Sequence, residues 1–402
     1  MHLDNDLGHL SYSTLVHPGD TWEEMQASLV RYVPEVKAAV SPNAPFGVSL
    51  RLSGASAHEL AESPSARKEL RATLDANDLY LYTVNAFPHG PFKGRRVKEL
   101  VYEPDWASTE RAEYTIAVAD VLAEVAPIGV NPSIQSAPLA FRPRVLGQEY
   151  LERMTRNVLA VAAHLVELRE RTGQTVTLAL EPEPYCYLET TTETIDYFRA
   201  HLYSDRSVET LSRAARLDPD EAAAALRRHL GIVFDIGHQS VGFERISESL
   251  DALTMAEIPI LKLQEASALW IPDVDAGVIA DLERFAESIY LTQTTERRDE
   301  SLVRYLNLED AIAAWRRDPG PREWRVHFHV PVFLDSLGPF RTTRDSIAEA
   351  LAHHCTRRLS THLEIETYTW DVLPDHLKTG DIVQYVVREL EWVRDQVTNC
   401  AQ

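Results

Sequence analysis

Along the chain, short apolar runs alternate with amphipathic stretches of helical spacing. The runs are HLSYST (9–14), FGVSLRL (46–52), DLYLYTV (78–84), NPSIQSA (131–137) and TVTLALE (175–181). GIVFDIG (231–237), IPILKLQ (258–264), RVHFHVPVF (325–333) and HLEIETY (362–368) complete the set. Between them fall helical patterns at 21–40, 109–126, 150–171, 193–202, 220–230, 346–354 and 381–397. Thr192, Asp220 and Thr343 stand where N-caps are expected. TVTLAL and GIVF are continuous apolar runs, not alternating ones. A strand of that kind is buried on both faces, which means a parallel sheet covered by helices. The repeated strand–helix unit predicts an α/β fold, a (β/α)8 TIM barrel, over one domain spanning 1–402. A doubly wound open sheet is disfavoured, because no GxGxxG or GxxxxGK[ST] follows any run.

Nine runs are one more than a barrel holds. About 60 residues separate IPILKLQ from RVHFHVPVF, and they include the charged stretch TERRDES (295–301). Residues 268–324 therefore read as an insertion after strand seven, a lid or a dimer arm. RVHFHVPVF becomes an extra segment ahead of strand eight, HLEIETY. Loops after barrel strands border the catalytic face, so an insertion there has access to it.

In a barrel, the C-terminal ends of strands carry the chemistry. Strand five ends in Glu181, strand six in Asp235 with His238 three residues on, and strand seven in Gln264 and Glu265. His327 and His329 share a face at spacing two, as do Glu364 and Glu366. A carboxylate behind a buried run needs a cation or a dense hydrogen-bond set. Several converging on one mouth predict a divalent metal ion, and mixed oxygen and imidazole ligands suit Mn2+, Mg2+, Co2+ or Zn2+. Taken singly, each of these residues is more simply a structural ion pair or a satisfied core histidine. The joint pattern Glu…Asp-x-x-His…Glu on strand ends is what points to a site.

Charge refines this picture. The 402 residues hold 40 Lys+Arg against 61 Asp+Glu, a net charge of −21, and 45% are hydrophobic. That composition suits a packed core and argues against general nucleic-acid binding. Against this background two basic loops stand out. One starts at Asn85 and carries His89, Lys93, Arg95, Arg96 and Lys98; the other carries Arg142 and Arg144. With Arg51 at the end of strand two, they are candidates for holding a phosphate or carboxylate. A solvated basic loop is the plainer reading. No run reaches the roughly 18 apolar residues of a membrane helix, and the first residues lack a signal-peptide pattern. Three cysteines, with no CxxC, predict no disulfide framework and fit a cytoplasmic, reducing environment.

LALEPEP, FDIGH and LEIETYTW in a single barrel resemble the xylose isomerase-like superfamily, which includes sugar isomerases, ketose 3-epimerases and a metal-dependent apurinic endonuclease. More closely, STLVHPGDTWEEM, FGVSLRLS, NDLYLYTVNAFPHGPFKGRRVKE and FDIGHQSVGFE resemble the EboE-type metabolite traffic family over nearly the whole chain. The resemblance implies metal ligands at Glu181, Asp235, Gln264, His329 and Glu366. The catalytic candidates are Glu181, Glu366 and His238, and the candidate substrate contacts are Arg51, Asn85, His89, Lys93 and His327. His327 and His329 are similar to the Asp-x-His pair that holds a further metal in the endonuclease branch. Gln264 departs from the pattern, because epimerases place a histidine ligand there, and a Gln carbonyl is the weaker ligand. The implied function is a metal-dependent isomerase or epimerase of a small polyol, sugar or cyclitol, with or without a phosphate, in biosynthesis or metabolite export. The alternatives are a hydrolase or lyase on the same barrel and a non-catalytic scaffold. The expected partners are a small polar, potentially anionic substrate and a homodimer or biosynthetic complex, with no nucleic acid and no membrane insertion.

Overall fold

The structure is a computed structural model and describes every residue except 95, 284–288, 372, 374–377, 379 and 401–402. Seven strands come first: β1 (His9–Tyr12), β2 (Phe46–Arg51), β3 (Leu79–Asn85), β4 (Ser133–Ser136), β5 (Thr177–Leu180), β6 (Leu230–Asp235) and β7 (Ile260–Glu265). Six more form a second sheet: β8 (Ser267–Ile271), β9 (Thr294–Arg298), β10 (Ser301–Tyr305), β11 (Glu323–Val330), β12 (Ser336–Leu337) and β13 (Phe340–Thr342). The last is β14 (His362–Ile365).

The first seven strands and β14 form one parallel sheet in the order β1-β14-β7-β6-β5-β4-β3-β2. A bridge between Ser13 and Ser49 spans the remaining seam, so the sheet is a nearly closed barrel with helices between its strands. This is the (β/α)8 barrel that the apolar runs predict. Every residue of β2, β5 and β6 is buried, as strands packed on both faces require.

The helices start where local chemistry fixes them. Thr21 caps Trp22–Val40 through a reciprocal box with Glu24. Two expected caps move by two residues. Asp218, not Asp220, caps Pro219–His229, because Pro219 occupies the first helical position and sets the cap one residue before it. Thr190, not Thr192, caps Thr191–Tyr197, because its box partner is Glu193. Thr343 is an N-cap by position but makes no side-chain cap bond.

The second sheet is antiparallel, in the order β10-β9-β11-β8-β13-β12. It has its own apolar core, centred on Leu269, Trp324, Val326, Phe328 and Phe340. Only Ala266 separates β7 from β8, so the barrel strand runs directly into this sheet. The RVHFHVPVF segment supplies β11, which pairs with both β8 and β9 and is therefore part of the sheet. Its pairing with β8 slips between Val326 and His329, beside the two histidines.

One expectation is overturned. Cys355 and Cys400 form a disulfide between helices Arg344–Arg357 and Ile382–Cys400, with Cα atoms 6.2 Å apart. The two cysteines are 45 residues apart in sequence and meet only because these helices pack side by side. Cys186 is free and buried. No helix among the described residues is long and apolar enough to cross a membrane.

Candidate metal centre

Period-two alternation builds the floor of the barrel mouth. On β7, Lys262 and Gln264 point inward, as do Glu364 and Glu366 on and just after β14. They form two layers. In the lower, Lys262 has no exposed surface and donates to Glu364 Oε2 at 3.0 Å and Gln135 Oε1 at 2.6 Å. Ser49 also bonds Glu364. Gln135 then links the layers, its Nε2 donating to Glu181 Oε2 at 2.6 Å.

In the upper layer, Gln264 Nε2 faces three carboxylates: Glu181 Oε1 at 3.0 Å, Asp235 Oδ2 at 2.6 Å and Glu366 Oε2 at 2.9 Å. Asn85 Nδ2 donates to the other oxygen of Glu366 at 3.0 Å. Asp235 is also the N-cap of the short helix Ile236–Val241, accepting from the His238 backbone N at 2.8 Å. That cap places His238 above the carboxylates. Burial first, and mutual repulsion with Glu366 and Asp235 second, push the Glu181 carboxyl well above the usual range. Glu366 is raised by burial and by Glu364, and Asp235 is raised by burial.

Three imidazoles close the mouth from above. Each has its Nδ1 on an acceptor oxygen: His238 on Pro182 O at 3.0 Å, His327 on Gln293 Oε1 at 2.9 Å and His329 on Glu366 O at 2.6 Å. Each neutral ring therefore carries its proton on Nδ1 and a lone pair on Nε2. Yet His327 Nε2 and His329 Nε2 lie 3.0 Å apart, lone pair against lone pair. A proton between them is opposed by burial, which lowers His329 to about 4 and His238 to about 3 and pushes His327 well below the usual imidazole range.

This donor set fits a divalent cation. A primary amide has two protons for three carboxylates, and Gln264 Oε1 is buried with no partner among the described residues. Rotating the amide would aim that carbonyl at the carboxylates, an arrangement a cation would stabilise. Three groups have ligand atoms within 4.8 Å of one another: Glu181, Asp235 and His238; Asp235, His329 and Glu366; and His238, His327 and His329. Carboxylates favour harder ions and imidazoles borderline ones.

Above the floor lies a cavity with about 50 Å³ open to water centres. Glu181, Glu366, His238, His327 and Asn85 line its base. Its walls come from the loop after β3 and from the connection leading into β9, through Tyr290, Leu291 and Gln293. Other residues expected at the site lie elsewhere. Arg51 is 4% exposed and committed to Asp20 Oδ1 at 2.9 Å, Gly90 O at 2.8 Å and Gly19 O. His89 covers Gly54, where any Cβ would meet its ring at 2.0 Å, and packs edge-on against Tyr114. Lys93 donates to the Tyr368 carbonyl beside the rings of Phe92 and Tyr290. Arg142 pairs with Glu189 and Glu193, and Arg144 with Glu103. Arg95 lies outside the described residues.

Gln135, Lys262, Glu183, Tyr102 and Gln293 are site residues that sequence reasoning missed. Lys262 had a signal: a lysine inside an apolar strand, two residues before Gln264. Gln293 had none, because nothing local marks the segment that carries it.

No protein-family model matches the chain, and no curated protein does. Among solved structures, a xylose isomerase-like TIM barrel protein from Mycobacterium smegmatis in complex with magnesium is 10% identical, with a TM-score of 0.49 and 98% of each chain covered. D-psicose 3-epimerase with D-tagatose, from Clostridium cellulolyticum H10, is 14% identical with a TM-score of 0.48, covering 98% of this chain and 99% of that one. The IOLI protein with a bound zinc atom is 12% identical with a TM-score of 0.47, covering 97% and 98%. At that distance the chemistry of this site rests on its own residues.

Proposed function

We propose that the protein is a divalent-metal-dependent isomerase or epimerase acting on a small α-hydroxy carbonyl compound. The observation that carries this reading is three buried carboxylates, Glu181, Asp235 and Glu366, turned on one point beneath three imidazole lone pairs. A bound ion would polarise the carbonyl and hold the neighbouring hydroxyl. Asp235, Glu366 and His329, with the Gln264 carbonyl, would retain it. Glu181 and Glu366, both cavity-lining, are the proton carriers: one, ionised, removes the carbon-bound proton next to the carbonyl, and the other, protonated, supplies a proton to the opposite face of that carbon in epimerisation or, as the hydroxyl proton passes to the carbonyl oxygen, to the former carbonyl carbon in isomerisation. His238 would steady the substrate hydroxyl. Gln135 and Asn85 hold the two glutamates in place. The sequence resemblance to the EboE type would set this step in the making or movement of a small metabolite.

The test is exchange of carbon-bound hydrogen in D2O, followed by NMR on Mn2+-loaded protein with hydroxyacetone and D-fructose. The native protein should exchange the proton next to the carbonyl. Glu181→Gln and Glu366→Gln should each lower the rate by roughly 10²-fold or more while retaining the native circular dichroism. Undiminished exchange in both variants would reject the reading. One observation favours a second reading, a binding or scaffold protein: Gln264, whose amide already ties the three carboxylates together. Protein that takes up no Mn2+ or Zn2+ on dialysis would support that alternative.

A further inference from the structure

The cavity above the metal centre has a lining at odds with a substrate that is polar all round. Its upper walls are Phe87, Phe92, Val97, Val101, Tyr290 and Leu291. Beside them, the polar groups of Tyr102 and Gln293 are already engaged. Tyr102 OH donates to Glu183 Oε1 at 2.6 Å, Gln293 Nε2 donates to the same oxygen at 3.1 Å, and Gln293 Oε1 faces His327. Lys98, the one cation in the described lining, donates to Asn307 Oδ1 at 2.9 Å. Only Glu183 Oε2 on this wall is buried with no partner among the described residues.

We infer that the substrate is amphipathic, with adjacent hydroxyl and carbonyl oxygens at one end and an apolar ring or short hydrocarbon body at the other. This rests on the proposed metal-dependent reading of the floor. The oxygens meet the carboxylate and imidazole cluster, and the apolar body fills the aromatic and aliphatic upper cavity. One further polar atom of the ligand reaches Glu183 Oε2. A polyol with hydroxyls on every carbon would press most of them against side chains that cannot accept or donate, leaving each without the partners it had in water. The room matches: one water needs about 10–15 Å³ on this measure, so the cavity holds a group the size of a few waters, about one six-membered ring. Tyr290 and Leu291 belong to the connection between β8 and β9, so that connection helps to select the substrate.

The experiment is calorimetric titration of Mn2+-loaded and EDTA-treated protein with hydroxyacetone, 1-hydroxy-2-butanone, 2-hydroxyacetophenone and D-fructose. The expected result is metal-dependent binding that tightens along the first three probes, at least tenfold from hydroxyacetone to 2-hydroxyacetophenone, with D-fructose no tighter than hydroxyacetone. Metal-dependent binding with no gain from the phenyl group, or with D-fructose as the tightest probe, overturns the inference and leaves the metal reading standing. A phenyl gain that survives EDTA supports the apolar cavity and overturns the metal reading. No measurable binding of any probe overturns the inference.

Discussion

Lys262 and Glu364 show what a buried charge does when its partner is equally buried. Neither has any exposed surface, and they meet at 3.0 Å beneath the carboxylate layer. Removing one partner leaves the other charge stranded in a medium that solvates it poorly. Lys262→Met should therefore cost about 3–5 kcal/mol of stability, read by urea denaturation. Adding Glu364→Gln to it should recover a good part of that loss. A double variant no more stable than Lys262→Met would show that the pair is not the source. Gln293 acts at one remove from the centre, by fixing the tautomer of His327. Gln293→Leu deletes that acceptor; if Zn2+ binds the His238, His327 and His329 group, its affinity measured by competition with a chelator should fall roughly 10–100-fold. Unchanged affinity would mean that His327 does not ligate.

At this scale the sequence was informative about three residues and misleading about a fourth. Glu181, Asp235 and Glu366 sit at the ends of apolar strands, so their direction follows from the strand. Arg51 also ends a strand, but Asp20, 31 residues earlier, claims its guanidinium. A partner brought by the fold from a remote loop leaves no local mark.

Among elements, the C-terminal helix Ile382–Cys400 does more than cover the barrel. Its Glu389 accepts from the Val332 backbone N at 3.1 Å and the Thr367 hydroxyl at 2.7 Å, tying the ends of β11 and β14 to one helix face. Burial pushes this carboxyl up to about 7, from 4.5 in the unfolded chain. The fold therefore favours the protonated form. The stability this group contributes is full below pH 4.5 and is lost as pH rises through about 7, a swing of roughly 3 kcal/mol. Glu389→Gln keeps the accepting oxygen and removes the titration. It should match the native protein at pH 4.5 and exceed it in stability at pH 8, by urea denaturation at each pH. An equal effect at both pH values would refute the assignment.

The elements also divide by legibility. Barrel strands such as β5 and β6 could be read because they are buried on both faces and so become unbroken apolar runs, and the rest followed from the repeated strand–helix spacing. Of the second sheet only β11 stood out as an apolar run; β10, SLVRY, is exposed at four of its five positions and left no such mark. Helix starts shifted by two residues at Thr190 and Asp218, where reciprocal caps and a proline outrank the apolar period.

At the scale of the molecule, the −21 charge has an internal component: Glu181, Asp235, Glu364 and Glu366 are all buried around one lysine, Lys262. Two apolar cores stand on either side of that cluster, one in the barrel and one in the second sheet. The direct run from β7 into β8 has a consequence for how the two come apart. The carboxylates belong to the barrel, and His327 and His329 to the second sheet, so an ion gripping both sets rivets two melting units together. Calorimetry should show one sharp transition for protein loaded with Zn2+ and two separated ones after chelation, the smaller belonging to the second sheet. A single transition in both states would mean that the strand joint alone couples them. Heat capacity thus becomes a gauge of site occupancy, readable before any substrate is in hand.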